Sequence, residues 1–96
     1  MLFNEAEKIL KTHKKDLAKL GANTLAIFGS VATNQSKKKS DIDILIEFDA
    51  KKGLFGFVHL KDYLEDLLHC DVDLVTKKGL RPALKEKILS ESRKIF

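Results

Sequence analysis

Tryptophan is missing from this 96-residue chain, and tyrosine, cysteine, proline and methionine occur once each. With no tryptophan and one tyrosine, no aromatic platform interleaved with basic residues is visible, so stacking of single-stranded nucleic acid is not expected. The lone Cys70 rules out an internal disulfide and fits a reducing cytoplasm. No histidine and acid pair is placed to make Cys70 a nucleophile, so it reads as a small buried or half-buried residue. His13, His59 and His69 do not stand at metal-ligand spacing with one another or with Cys70, and no zinc site is expected. Long apolar runs are absent too: none approaches the roughly 18 residues needed to span a membrane. The N-terminus becomes charged within a few residues, unlike a signal peptide.

What is there is ordinary for a globular protein: 44% hydrophobic and 33% charged residues. Residues 1–96 are expected to form one small domain, with a single core that is marginal in buried surface. The net charge of +4 leaves room for an acidic partner, a nucleotide or a nucleic acid, and identifies none of them. Lysines cluster at 14–15, 37–39, 51–52 and 77–78. Their plain reading is solvated loops; for Lys37 to Lys39, close to an acidic pair, contact with phosphate or a partner is the alternative.

Phe3, Ala6, Ile9, Leu10, Leu17 and Leu20 recur at helical spacing, and Gly21 is a natural stop. Strands are predicted at 24–28, about 41–48 and 71–75, the first followed by a short helical turn and a polar loop from Thr33 to Ser40. Phe57, Leu60, Leu64, Leu67 and Leu68 line a helix over about 54–68, long enough to cross over between parallel, adjacent strands two and three. Pro82 suits the first turn of a last helix that would present Leu84, Ile88, Leu89 and Ile95 to the core. The predicted order is α-β-α-β-α-β-α, an α/β (α+β) chain with no internal repeat.

The chemistry concentrates in Phe28-Gly29-Ser30 and, ten residues on, Asp41-Ile42-Asp43. In an extended strand residues i and i+2 share a face about 6.6 Å apart, so Asp41 and Asp43 aim together while Ile42, Ile44, Ile46 and Phe48 point the other way. Leu45 shares the acids' face, where the site gives way to core. Two carboxylates at that distance repel by roughly 2.5 kcal/mol at an effective dielectric near 20. A divalent cation turns this load into attraction, and Mg²⁺ is typically held by one or two carboxylates plus substrate phosphates. Gly29 and Ser30 sit where a strand turns into a helix, a place where backbone can approach an anion, and the Ser30 hydroxyl adds a donor for phosphate. A third acid comes from Cys70-Asp71-Val72-Asp73-Leu74-Val75; Asp73, flanked by valine and leucine inside the strand, is favoured over Asp71 at its entrance.

Gly29-Ser30 followed by Asp41-x-Asp43, with an acid on a later strand, resembles the DNA polymerase β-like nucleotidyltransferase superfamily. The short length, Val72-Asp73-Leu74-Val75 and the closing Leu80-Arg81-Pro82 helix look more narrowly like its minimal nucleotidyltransferases, the MNT proteins. The resemblance implies the polymerase β-like fold, with a mixed three-stranded sheet in the order 1-2-3 packed with about four helices. It implies that Asp41, Asp43 and Asp73 bind Mg²⁺ and carry catalysis, and that Gly29 and Ser30 hold the nucleotide phosphates. It further implies an antitoxin that transfers AMP from ATP to a hydroxyl, in this family a tyrosine, of a HEPN ribonuclease toxin. One departure stands out. Many relatives carry arginine directly after Gly-Ser, and here the turn continues Val31-Ala32-Thr33-Asn34-Gln35, so the lysines at 37–39 are the candidate substitutes.

Two readings compete with catalysis: an antitoxin that neutralises its partner by binding alone, and a basic nucleic-acid-binding domain using the lysine clusters, which would bind with steep salt dependence. Arg81 reads either as a phosphate contact or as an exposed residue opening the last helix. Tyr63 reads as a core or interface residue, with self-modification as its alternative.

Overall fold

A computed structural model describes residues 2–32 and 41–96. The lead helix is two helices, α1 (Phe3–Thr12) and α2 (Lys14–Lys19), where the spacing predicts one. The break is at His13, whose imidazole Nδ1 lies 2.9 Å from the Ile9 carbonyl while the Thr12 hydroxyl donates to the Lys8 carbonyl at 2.7 Å. Side chains that satisfy the last carbonyls let the backbone bend there, and Leu17 still reaches the core. Then follow β1 (Ala22–Phe28), α3 (Gly29–Ala32), β2 (Ile42–Phe48), a 3₁₀ turn (Ala50–Lys52), α4 (Gly53–Leu68), β3 (Val72–Thr76), a second 3₁₀ turn (Lys77–Gly79), α5 (Pro82–Glu91) and β4 (Arg93–Lys94).

The sheet is mixed and has four strands, in the order β3-β2-β1-β4. This corrects the expected three. β1 runs antiparallel to β2, and β2 parallel to β3 across the α4 crossover, as its length predicts. The extra strand comes from the chain's end. Ser90 and Ser92 donate their hydroxyls to the Lys87 and Leu89 carbonyls, a local bonding pattern that competes with helix continuation, and Ser92 turns extended. Lys94 and Arg93 then pair with Ala26 and Ile27. Ile95 is buried, as expected, but from an extended segment rather than a helix: its N–H donates to the Leu25 carbonyl at 2.9 Å. The Arg93 guanidinium stacks 3.6 Å from the Phe3 ring centre, closing this edge over α1.

Strand alternation sorts the two faces. Ile42, Ile44 and Ile46, with Leu25, Ile27, Val72 and Leu74, form the main core under α1, α2 and α4, to which α4 contributes Leu60, Leu64 and Leu68. Leu45 packs on the opposite face with Ala26 and Phe28, covered by Leu80 and Ile88 at the α5 end. Of the predicted core residues on α5 only Ile88 packs; Leu84 and Leu89 are exposed. On the acid-bearing face the cover therefore lies over Leu45, between the acids at one end of β2 and the exposed Glu47 at the other.

Burial decides the expected mutational contrast. Ile95→Ala should lower unfolding free energy by about 2–4 kcal/mol, whereas Leu84→Ala should change it by less than about 0.5 kcal/mol; urea denaturation measures both, and comparable losses would contradict the strand assignment of the C-terminus.

Candidate active site

The parallel register sets Asp43 directly beside Asp73, and the antiparallel register sets Phe28 on the other side of Asp43. Three neighbouring strands thus meet in one row, with Gly29 just beyond it. The side chain of Glu65 on α4 accepts from the Val72 N–H at 3.0 Å, and the Asp71 carbonyl accepts from the Ile42 N–H at 3.0 Å, so the starts of β2 and β3 are tied together. The acids have a fixed backbone beneath them.

Asp43 is half-buried and Asp73 exposed, and their carboxyl groups lie within hydrogen-bonding reach of each other. Burial, then the charge of Asp73 and that hydrogen bond, and lastly the charge of Asp41, push the Asp43 carboxyl up to about 6. One member of the pair is therefore reluctant to ionise without a positive charge nearby. Gly29 answers a geometric demand of the same group. It sits at φ +70°, and a Cβ there would run into the Asp43 carboxylate oxygen. Glycine at this turn makes room for the acid as well as for an approaching ligand.

Asp43 and Asp73 are brought together, as the expected parallel, adjacent strands two and three require. Asp41 precedes β2, is exposed, and acts on Asp43 through its charge. Asp71 is exposed at the entrance to β3. Among the described residues no three histidine, cysteine, aspartate or glutamate side chains already converge as a metal cage. The backbone of Ser30 lies in α3; its side chain, and Lys37 to Lys39, fall outside the described residues. Arg81 is exposed before α5. Cys70 is half-buried, and burial raises its thiol pKa, which suits an inert residue. Tyr63 donates to the Asp16 carboxylate at 3.4 Å, tying α4 to α2 on the face away from the acids. The role of Gly29 as the space behind Asp43 was not visible in the sequence; its only signal was a glycine ending an apolar strand.

The sequence profile of the nucleotidyltransferase domain family matches residues 6–95. Over 92 residues the chain is 38% identical to the protein adenylyltransferase MntA of Thermococcus cleftensis, covering 95% of this chain and 93% of that protein. A solved structure assigned as a minimal nucleotidyltransferase superposes with a TM-score of 0.78 at 34% identity, covering 97% of this chain and 95% of that one. The fold also matches, at a TM-score of 0.67 and 18% identity over 94% of this chain and 71% of the other, a chain from the complex of a tri-AMPylated HEPN toxin with its MNT antitoxin from Shewanella oneidensis.

Two outcomes follow from the crowded carboxyls. Because the folded-state pKa of Asp43 is raised, its ionisation opposes folding above about pH 6 and has no effect below the unfolded carboxylate range near 4. Asp43→Asn should therefore stabilise the metal-free protein at pH 8 by about 1–2 kcal/mol, allowing for solvent at a half-buried group, and the gain should vanish by about pH 4; thermal unfolding at the two pH values tests this. Gly29→Ala should destabilise by about 1–3 kcal/mol at pH 8, and less when Asp43 is also replaced by alanine, as a double-mutant cycle would read out.

Proposed function

The chain belongs to the nucleotidyltransferase domain family, and on that premise we propose that it is a protein adenylyltransferase, transferring AMP from ATP to a hydroxyl on a HEPN-domain toxin and acting as its antitoxin. The observation that carries this reading is the Asp43–Asp73 pair in register on adjacent strands, with Gly29 opening the space beside it. A tyrosine is the acceptor that the family resemblance favours.

Asp41, Asp43 and Asp73 are the residues that would hold Mg²⁺. The donor set fits: hard carboxylate oxygens, one of them held reluctant to ionise by burial and by its acidic neighbours, make a place where a divalent cation offsets unfavourable charge. When bound, the ion neutralises phosphate charge and steadies the charge that develops on the leaving group. The chain's own groups supply position and proton handling. Gly29 and Ser30 lie at the turn where the triphosphate would meet the protein, with no side chain at Gly29 to block it. Asp73, the exposed member of the pair, faces the side from which an acceptor arrives and takes the hydroxyl proton as oxygen attacks the α-phosphorus. The new O–P bond forms, the bond to the β-phosphate oxygen breaks, and pyrophosphate leaves. Because Asp41 and Asp73 are exposed, the described residues do not enclose the reacting groups, and the partner would supply much of the surface around the acceptor.

Intact-mass spectrometry of a purified HEPN-domain partner, incubated with this protein, ATP and Mg²⁺, should show the addition of one or more AMP units. With the Asp41→Asn/Asp43→Asn variant the rate should fall by about a hundredfold or more. A partner that is silenced equally by both forms and never gains mass would contradict catalysis and indicate an antitoxin acting by occlusion.

A further inference from the structure

At the end of the sheet away from the acids the surface changes character. Glu47 lies four residues beyond Asp43 on β2, about 13 Å along the strand. There Glu47, Phe48, Ala50, Lys77 and Lys78 are among the residues lining a cavity of about 510 Å³. From Ala50 the chain passes through the first 3₁₀ turn into α4, whose opening turns leave Phe55 90% exposed, Leu54 75% and Val58 48%. These three are one turn or less apart on a single helix, so they form one apolar patch. The core does not account for them, since α4 buries Leu60, Leu64 and Leu68 against the sheet. An exposed phenylalanine and leucine beside an open cavity mark an interaction surface.

The charge around this patch selects among occupants. Lys77 and Lys78 line the cavity, Lys51 and Lys52 lie between its Ala50 and the start of α4, and all but the half-buried Lys77 are exposed. The acids of the same segments are already engaged: Glu47 accepts from Lys77 at 2.9 Å, and the Asp49 side chain accepts from the Lys51 N–H at 3.0 Å. With Lys77 offset by Glu47, the balance beside the apolar patch is positive, Lys51, Lys52 and Lys78 against Asp49. A second copy of this chain docked by twofold symmetry would bring lysines against lysines, which opposes self-association. Nucleic acid would meet the positive charge but leave the leucine, valine and most of the cavity without a match.

We infer that this end of the molecule docks an acidic segment of the protein that receives the nucleotidyl group, with apolar side chains of that segment seated on Phe55 and Leu54 and in the cavity beside Phe48. The inference rests on the proposed modification of a protein partner. The geometry allows one partner to reach both places: a standard interface covers about 800 Å² on each side, about 30 Å across, and this molecule measures 35 × 31 × 21 Å. The acids would then do chemistry on a substrate gripped elsewhere.

Two variants test it, Phe55→Ser and Lys51→Glu/Lys78→Glu, each titrated calorimetrically with a purified HEPN-domain partner and assayed for transfer. Each should raise Kd about tenfold or more and raise KM for the partner in proportion, while kcat at saturating partner stays within about twofold. The lysine variant should also flatten the salt dependence of binding. Kd and KM unchanged in both variants would overturn the inference. So would a labelled short RNA that binds the native protein and is lost with the lysine variant while partner affinity holds, or a dimer dissolved by Phe55→Ser alone with partner affinity unchanged. The affinity arm needs no chemistry, so a native protein that binds the partner without modifying it would refute the adenylyltransferase reading and still decide this one.

Discussion

Parallel pairing of β2 with β3 holds Asp43 and Asp73 side by side, and most of what surrounds them serves to keep two like charges where solvent alone would let them separate. The isoleucines of β2 anchor one side of the strand in a fully buried core, so Asp43 cannot retreat by rotating the strand without exposing that whole row. The Asp71 carbonyl ties the start of β2 to that of β3, and Glu65 ties β3 to α4. Gly29, in a left-handed turn, gives the Asp43 carboxylate the room that a side chain would fill. The raised pKa of Asp43 is the consequence: the fold holds an unfavourable charge beside the Gly29 turn. On the proposed reading, a cation brought with a nucleotide would relieve that charge and so couple substrate binding to the stability of the site.

Much of this was readable before any coordinates. Strand periodicity placed Asp41 and Asp43 on one face and Leu45 at the boundary with core, and the length of α4 implied the parallel crossover that brings Asp73 into register. The direction of β1 was not readable, because a short connection and a long one are both compatible with its apolar pattern. The lead helix broke at His13 because an imidazole and a threonine hydroxyl satisfy its final carbonyls, a local competition that apolar spacing does not register. The same blindness hid β4. Leu84, Ile88, Leu89 and Ile95 fit a helical stripe, yet two serines end the helix and an edge of β1 accepts the tail. Tertiary pairing overrode the local pattern there. The part Gly29 plays behind Asp43 depends on two strands meeting, so no local pattern could carry it.

The molecule divides its tasks between its ends. At one end of β2 stand Asp41, the half-buried Asp43 and, beside it, Asp73; at the other stand exposed apolar side chains and lysines. No helix among the described residues is long and apolar enough to cross a membrane, so neither end is accounted for by a bilayer-spanning segment. A domain this small gains by the separation, since gripping a partner away from the reacting groups leaves the acids open to nucleotide.

On the proposed reading, Asp43 is held as a reluctant carboxylate that a divalent cation would complement. Carbon-13 NMR titration of its carboxyl, with and without Mg²⁺ and a non-hydrolysable ATP analogue, tests that most directly. The account predicts a midpoint near pH 6 in the metal-free protein that falls to the ordinary carboxylate range or below when ion and nucleotide bind. A midpoint already near 4 without metal, or one near 6 that saturating Mg²⁺ and nucleotide leave unmoved, would contradict it.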